Sequence, residues 1–418
     1  MKVEVNRSQI RGYVKAPASK SAMQRILAGT LLADGSSEIL SPSFCDDSLA
    51  VIEIIRGLGA EVTISEERVL VKGGFNPYTR EIFCGESGLA TRMFTPIAAL
   101  HNKPVRISGK GSILKRPVDM VVLPLAGMGV DVESTDGFLP LVVKGPLKGG
   151  NIIADGSVSS QFITGLLMAL PVVDEDSILT VENLVSKPYI DLTVSLLSEF
   201  GIEIVNYAYR NFKIPGRQKY RAGSYNVEGD WSGAAFLMVM GALSGPVVIK
   251  GLNLASTQAD KSIYYALSLA GARIRQTSSG IIVKAGRLKG FEFDISDCPD
   301  LAPPLAVLAL ACKGKTVLRG TGRLVAKESN RSRALHETLS ILGANITSGE
   351  NTIEIEGGVE LKGGTVNSFN DHRIAMANAV AALLCRETVI IEEMESINKS
   401  YPGFIDDFLS LGGNIRII

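Results

Sequence analysis

The sequence predicts an α/β protein assembled from six copies of one unit, and three observations carry that prediction. A Gly-Ala-polar-aliphatic signature, or a close variant, recurs about every 70 residues along the 418-residue chain. A short β-branched stretch recurs in phase with it, and so does an apolar segment of about a dozen residues. Strands that alternate with helices define the α/β class.

The signature reads Gly59-Ala60-Glu61-Val62, Gly129-Val130-Asp131-Val132 and Gly201-Ile202-Glu203-Ile204 in the first half. It returns as Gly271-Ala272-Arg273-Ile274, Gly343-Ala344-Asn345-Ile346 and Gly412-Gly413-Asn414-Ile415. Successive first glycines are 70, 72, 70, 72 and 69 residues apart. A glycine in the left-handed region closes a helix, and an alternating strand follows it.

The β-branched stretches are Ser37–Leu40, Pro104–Ile107, Ser177–Val181, Pro246–Ile249, Thr316–Arg319 and Thr388–Ile391. An apolar helix precedes each, as in Phe162–Leu170. Segments apolar all round belong inside a domain. Each unit therefore reads as polar loop, buried helix, strand, second polar loop, amphipathic helix, glycine stop and strands. The buried helices argue against an open solenoid, whose helices keep a wet face.

Composition narrows the function. Hydrophobic residues make up 46% and charged residues 21%, as in ordinary globular proteins. Lys plus Arg and Asp plus Glu number 43 each, which argues against a surface devoted to nucleic acid but allows a local basic pocket. Five scattered cysteines (Cys45, Cys84, Cys298, Cys312, Cys385) without a Cys-x-x-Cys pair, beside three histidines, fit a reducing compartment and no metal site. Charges at Lys2, Glu4, Arg7 and Arg11 leave no signal peptide, and no apolar run reaches membrane-spanning length. A cytoplasmic protein with no membrane partner is expected.

The loops that open the six buried helices hold the chemistry. They read Ala18–Arg25, Gly85–Arg92, Asp155–Phe162, Gly229–Gly233, Asp297–Asp300 and Phe369–Arg373. Helix capping alone would explain Ser159, Asp230 and Ser232. It does not explain Lys20, Arg25, Arg92 and Arg373, because a helix N-terminus disfavours positive charge unless an anion is shared there. Several such starts describe a site for phosphates and carboxylates. The second loops add Lys110–Pro117, Ser186–Tyr189, Ala326–Arg331 and Asn398–Pro402. Within them Glu328 lies between Lys327 and Arg331, either as a helix ion pair or as a carboxylate placed for proton transfer. No phosphate-binding P-loop, dinucleotide fingerprint or metal-ligand spacing occurs, so no cofactor is expected.

In these loops the chain resembles the enolpyruvyl transferases, and within them the branch that acts on shikimate 3-phosphate. The matching motifs are Pro17–Ser21 with Arg25, Gly85–Gly88 with Arg92, Leu114–Pro117, Asp155–Gln161, Ser186–Tyr189, Asp300, Lys327–Arg331, Asp371–Arg373 and Lys399. They stand in the family's order between residues 17 and 402.

The resemblance implies a two-domain inside-out α/β barrel, each domain with three βαβαββ-type repeats around buried parallel helices. The domains would be 18–228 and a discontinuous 1–17 plus 229–418, with the active site in the cleft between them. It implies transfer of the enolpyruvyl group of phosphoenolpyruvate to the 5-hydroxyl of shikimate 3-phosphate by a monomer. Shikimate 3-phosphate would meet Ser21, Arg25, Ser159, Ser160, Gln161, Ser186, Tyr189, Asp300 and Lys327. Phosphoenolpyruvate would meet Lys20, Gly88, Arg116, Gln161, Arg331, Arg373 and Lys399. Asp300 would act as base on the hydroxyl. Glu328, with Lys20, His372 or Lys399, would handle the proton on the methylene carbon.

Departures from the family pattern are Leu89 for Thr or Ser, Glu86 for a common Asn, Asn330 for Asp and Val325 for a frequent Arg. They bear on fine contacts and not on the reaction. The sibling transferase acting on a UDP-linked amino sugar is the alternative. It carries a loop Cys or Asp that the turn 110–117 lacks.

Overall fold

The structure is a computed structural model that describes residues 1–418. The chain forms two compact units, Ala18–Glu228 and Met1–Pro17 with Gly229–Ile418. Six sheets are present, three in each unit.

One sheet shows the plan of all. Gly150–Asp155 pairs in parallel with Ser177–Glu182, from Gly150 opposite Ser177 to Asp155 opposite Glu182. The helix Ser160–Ala169 is the crossover that a parallel pair requires. A second helix, Lys187–Glu199, leads to a hairpin whose strand Asn211–Ile214 lies antiparallel to Ser177–Glu182. The unit is thus βαβαββ. All six β-branched stretches lie in the strand that takes this inner position: Ala33–Leu40, Val105–Ser108, Ser177–Glu182, Val247–Lys250, Gly314–Arg319 and Val389–Glu392.

The crossover helices are buried on every side. Gly88–Ala98, Ala302–Leu310 and His372–Ala381 bury all their residues, and Trp231–Leu243 all but Leu243. Strands instead alternate, as in Arg68–Gly73 with Val69 and Val71 inside, so helices form the interior and each sheet keeps a wet face. Fully buried Phe94 and Phe162 contribute about 1.5–3 kcal/mol each from area removed from water. Gly165 sets the approach of helix Ser160–Ala169 to helix Gly88–Ala98, because a β-carbon there would lie 2.6 Å from the Met93 carbonyl oxygen and from Pro96 Cγ.

The six signature glycines all have positive φ, between 77° and 116°. At Gly59 a β-carbon would also meet the Asn76 backbone at 2.8 Å. A strand begins within two or three residues after five of them. After Gly201 it is delayed to Val205–Tyr207. There the Gln218 amide takes a strand's place, accepting from Glu203 N–H at 2.8 Å and donating to the Glu203 carbonyl at 3.0 Å.

Each unit closes on itself. Tyr220–Arg221 and Ser224–Asn226 supply the outer parallel strand beside Ala33–Leu40. In the other unit Val3–Asn6 lies between Val389–Glu392 and Asn414–Ile417, and Gly12–Lys15 pairs in parallel with Val247–Lys250. All five cysteines are free and buried, and no helix is long and apolar enough to cross a membrane.

Candidate active site

In Ala18–Glu228 the three buried helices start with hydroxyl caps. Ser19 accepts from Ala22 N–H, Ser87 from Ala90 N–H and Ser159 from Gln161 N–H. Lys20 is the first residue of its helix, and Asp47 meets its ammonium at 2.9 Å. That carboxylate offsets the repulsion between the cation and the helix dipole.

Arg25 is nearly sealed, at 2% exposure. Its Nε donates to Thr193 Oγ1 at 2.9 Å, its Nη1 to the Ser21 carbonyl at 2.8 Å, and its Nη2 to Thr164 Oγ1 and the Tyr189 carbonyl at 3.4 and 3.5 Å. Four of its five N–H groups are therefore held by neutral oxygens, which ties three helices together and leaves one N–H on Nη1. Burial lowers its pKa to about 10, so it stays charged at neutral pH.

Arg92 donates from Nη1 to Gln161 Oε1 at 2.9 Å and from Nη2 to the Pro117 carbonyl at 3.0 Å. By taking the amide oxygen it fixes Gln161 with its NH2 group as the remaining end. Arg116 ends the cationic turn, and its guanidinium lies on Gly88. A β-carbon at Gly88 would be 2.8 Å from Nη1 and 2.9 Å from Cζ and Nη2. A side chain there would push the guanidinium aside, so glycine lets it lie against the helix start. Ser160 is buried, and buried Ser186 caps its helix from the left-handed region at φ 55°. A non-glycine residue held there marks a locally imposed geometry.

In the other unit the charged residues form one network. Asp300 Oδ1 accepts from Arg331 Nη1 at 2.6 Å and from Lys327 Nζ at 3.5 Å, and its Oδ2 accepts from Arg373 Nη2 at 3.3 Å. Glu328 Oε2 meets Arg331 Nη2 at 2.6 Å. Asp371 takes Arg331 Nε at 2.8 Å and Nη2 at 3.2 Å, receives the Ser329 hydroxyl at 3.0 Å, and caps helix His372–Ala381 through Arg373 N–H. His372 Nδ1 stands 3.9 Å from Asp371 Oδ1, beyond hydrogen-bond reach. Lys399 donates to the Asn370 carbonyl at 2.7 Å.

Burial pushes the Asp300 carboxyl upward, but Lys327, Arg373 and Arg331 together hold it well below the usual carboxylate range. Burial lowers the Lys327 pKa more than Asp300 restores it. Arg331 has four of its five N–H groups on three carboxylates. Arg373 differs: it is buried, and its Nε and Nη1 have no hydrogen-bond partner. A sealed guanidinium with three open N–H donors fits a carboxylate or phosphate.

The structure thus joins Asp300, Lys327, Glu328, Arg331 and Arg373 in one network, Arg116 with Gly88, and Arg25 with Ser21 and Tyr189. Sequence reasoning gave no role to Asp47, Asp371 or Asp260, and placed Arg92 only among the helix-start cations. Arg92 and Asp371 were visible as motif members. Asp47 was not, since nothing local marks it as the partner of a residue 27 positions away. Asp260 is buried, accepts a hydrogen bond from the Ser232 hydroxyl, and is raised to about 7 by burial and by Asp300.

Six βαβαββ repeats with buried guanidinium groups near the starts of three crossover helices, at Arg25, Arg92 and Arg373, define a protein that handles small, multiply charged anions. The model of the family EPSP synthase (3-phosphoshikimate 1-carboxyvinyltransferase) matches residues 5–408, and the chain belongs to that family. It is 38% identical over 416 residues to the 3-phosphoshikimate 1-carboxyvinyltransferase of Clostridium kluyveri, covering 99% of this chain and 98% of that one. To its namesake from Clostridium botulinum it is 40% identical over 418 residues, with 98% and 96% covered. The EPSP synthase of Acinetobacter baumannii superposes over all of both chains with a TM-score of 0.85 at 24% identity. The enolpyruvyl transferase NikO from Streptomyces tendae gives 0.80 at 16% identity, over 99% and 98% of the chains. These two structural likenesses bear on the fold alone.

Proposed function

We propose that the protein joins the enolpyruvyl group of phosphoenolpyruvate to the 5-hydroxyl of shikimate 3-phosphate and releases inorganic phosphate. Membership of the family supports this reading, and the one structural observation that carries it is Asp300 among Lys327, Arg331 and Arg373.

In the addition step the hydroxyl oxygen bonds to C2 of phosphoenolpyruvate while C3 gains a proton, giving a ketal phosphate. In the second step C3 loses a proton and the C2–O bond to phosphate breaks. A general base works best with a pKa near the operating pH, and Asp300 lies far below it. Anionic substrates that draw Lys327 and Arg373 toward themselves would release that restraint and raise its basicity. Arg373, Arg116 over Gly88 and Lys399 suit the donor's charges, with Lys20 and Gln161 beside them. Arg331, enclosed by carboxylates, is suited to hold Asp300 and Glu328 in place. Ser159, Ser160, Ser186 and Lys327 suit the acceptor's phosphate, and Ser21, Arg25 and Tyr189 its ring and carboxylate. Glu328, ion-paired to Arg331, fits the acceptor of the C3 proton in the second step. The ammonium of Lys20 or Lys399, or His372, fits its donor in the first.

The test is phosphate release with each substrate alone and with both. Release that requires both, and fails when the UDP-linked amino sugar replaces shikimate 3-phosphate, is the expected result. Release with the sugar, or with neither acceptor, overturns the reading.

A further inference from the structure

The Glu86 carboxylate is committed to a loop 26 residues away. Two strand ends are zipped together there. Cys84 N–H donates to the Ser108 carbonyl and Lys110 N–H to the Gly85 carbonyl, both at 2.8 Å. The zipper continues through a side chain, because Glu86 Oε2 accepts from both the backbone N–H and the hydroxyl of Ser112 at 3.0 Å. Gly111 makes room for it. Its φ is +61°, and a β-carbon there would collide with the Glu86 carboxyl group.

Ser112 is the second residue of the 3-10 turn Gly111–Lys115, whose own cap residue, Lys110, makes no side-chain capping bond. Glu86 therefore supplies from outside the acceptor that the start of the turn needs. The turn ends at Arg116, in extended conformation, with its N–H on the Ile113 carbonyl at 3.2 Å. From there the guanidinium reaches back to Gly88, two residues beyond Glu86. The contacts run 86 to 112, along the turn to 116, and back to 88.

We infer that Glu86 is the positioning residue for Arg116: by pinning the turn it sets the guanidinium against Gly88 at the start of helix Gly88–Ala98, and so sets the affinity for the phosphorylated donor. The inference rests on the reading that Arg116 holds that donor. The Ser112 N–H and hydroxyl each need an oxygen acceptor, which a carboxylate or an amide can supply. A carboxylate near a bound anion opposes it, whereas an amide oxygen caps Ser112 equally well.

Steady-state kinetics with phosphoenolpyruvate varied at saturating acceptor tests this, using wild type, Glu86→Ala, Glu86→Gln, Ser112→Ala and Arg116→Ala. Glu86→Ala is expected to raise the donor KM about tenfold or more, with a much smaller fall in kcat than Arg116→Ala gives, because the guanidinium is loosened and not removed. Glu86→Gln is expected to restore the donor KM to the wild-type value or below. Ser112→Ala, which removes one of the two bonds, should raise it about threefold and keeps the test alive if Glu86→Ala does not fold. Unchanged KM in Glu86→Ala and Ser112→Ala, or a Gln variant as impaired as the Ala one, overturns the inference. Arg116→Ala separates the two readings. If it turns over like wild type, the site assignment itself is wrong. If it is crippled while the Glu86 and Ser112 variants are normal, only the role of Glu86 falls.

Discussion

Arg331 and Asp371 form a two-pronged ion pair sealed from solvent, with Nε to Oδ2 at 2.8 Å and Nη2 to Oδ1 at 3.2 Å and side-chain exposures of 1% and 0%. The same carboxylate caps the helix that carries Arg373, so one side chain fixes two cations. Stranding a buried charge outright costs about 3–5 kcal/mol, but without Asp371 the Asp300 and Glu328 carboxylates still hold Arg331, so the loss is smaller. Asp371→Ala should lose about 2–3 kcal/mol of stability, of which about 1 kcal/mol is the helix cap, in urea denaturation. A midpoint equal to wild type would show that the pair does not hold the unit.

Asp260 gives stability an unusual pH dependence. Its carboxyl is raised to about 7 by burial and by Asp300, against the opposing pull of Arg373 and the Ser232 hydroxyl, with Asp230 adding repulsion. Between about pH 4 and 7 the folded protein keeps a proton that the unfolded chain has released, so stability falls as pH rises through that window. Asp260→Asn removes this loss. Its stability relative to wild type should grow by roughly 2–4 kcal/mol from pH 4.5 to 8, since each pH unit inside the window is worth about 1.4 kcal/mol. Asp300 has the opposite sign: its contribution is present above about pH 4 and is lost on acidification. Parallel stability curves for Asp260→Asn and wild type would refute the assignment.

Lys20→Ala, Arg116→Ala and Glu328→Gln should each lower turnover by about two to four orders of magnitude, without unfolding, in the phosphate-release assay. Turnover like that of wild type in all three would refute the site.

Gly165→Ala probes the contact between helices Ser160–Ala169 and Gly88–Ala98. The added methyl must displace backbone and Pro96, which typically costs about 1–3 kcal/mol in a packed core. A lowered melting temperature with an unchanged donor KM is expected. A melt equal to wild type would mean that the helices have slack.

The unit plan was legible because glycines with positive φ and buried crossover helices leave period-bearing marks. The delayed strand after Gly201 was not, since Gln218 replaces it through a side chain. At the site, the residue types were legible and their partners were not. Arg25 and Arg331 sit in loops that suggest ligand contacts, yet each commits four N–H groups to the protein itself. Only coordinates separate them from Arg373, whose Nε and Nη1 are open. Asp47 and Asp260 carry no local pattern, because their importance comes from elements folded against them.

The two units differ in what synthesis must deliver before each can close. Ala18–Glu228 draws every strand from one unbroken stretch of chain, so its last sheet is complete once Asn226 has emerged from the ribosome. Val3–Asn6 instead takes both its neighbours, Val389–Glu392 and Asn414–Ile417, from chain that is made far later. That strand therefore stays unpaired on both edges until those two distant strands have been made.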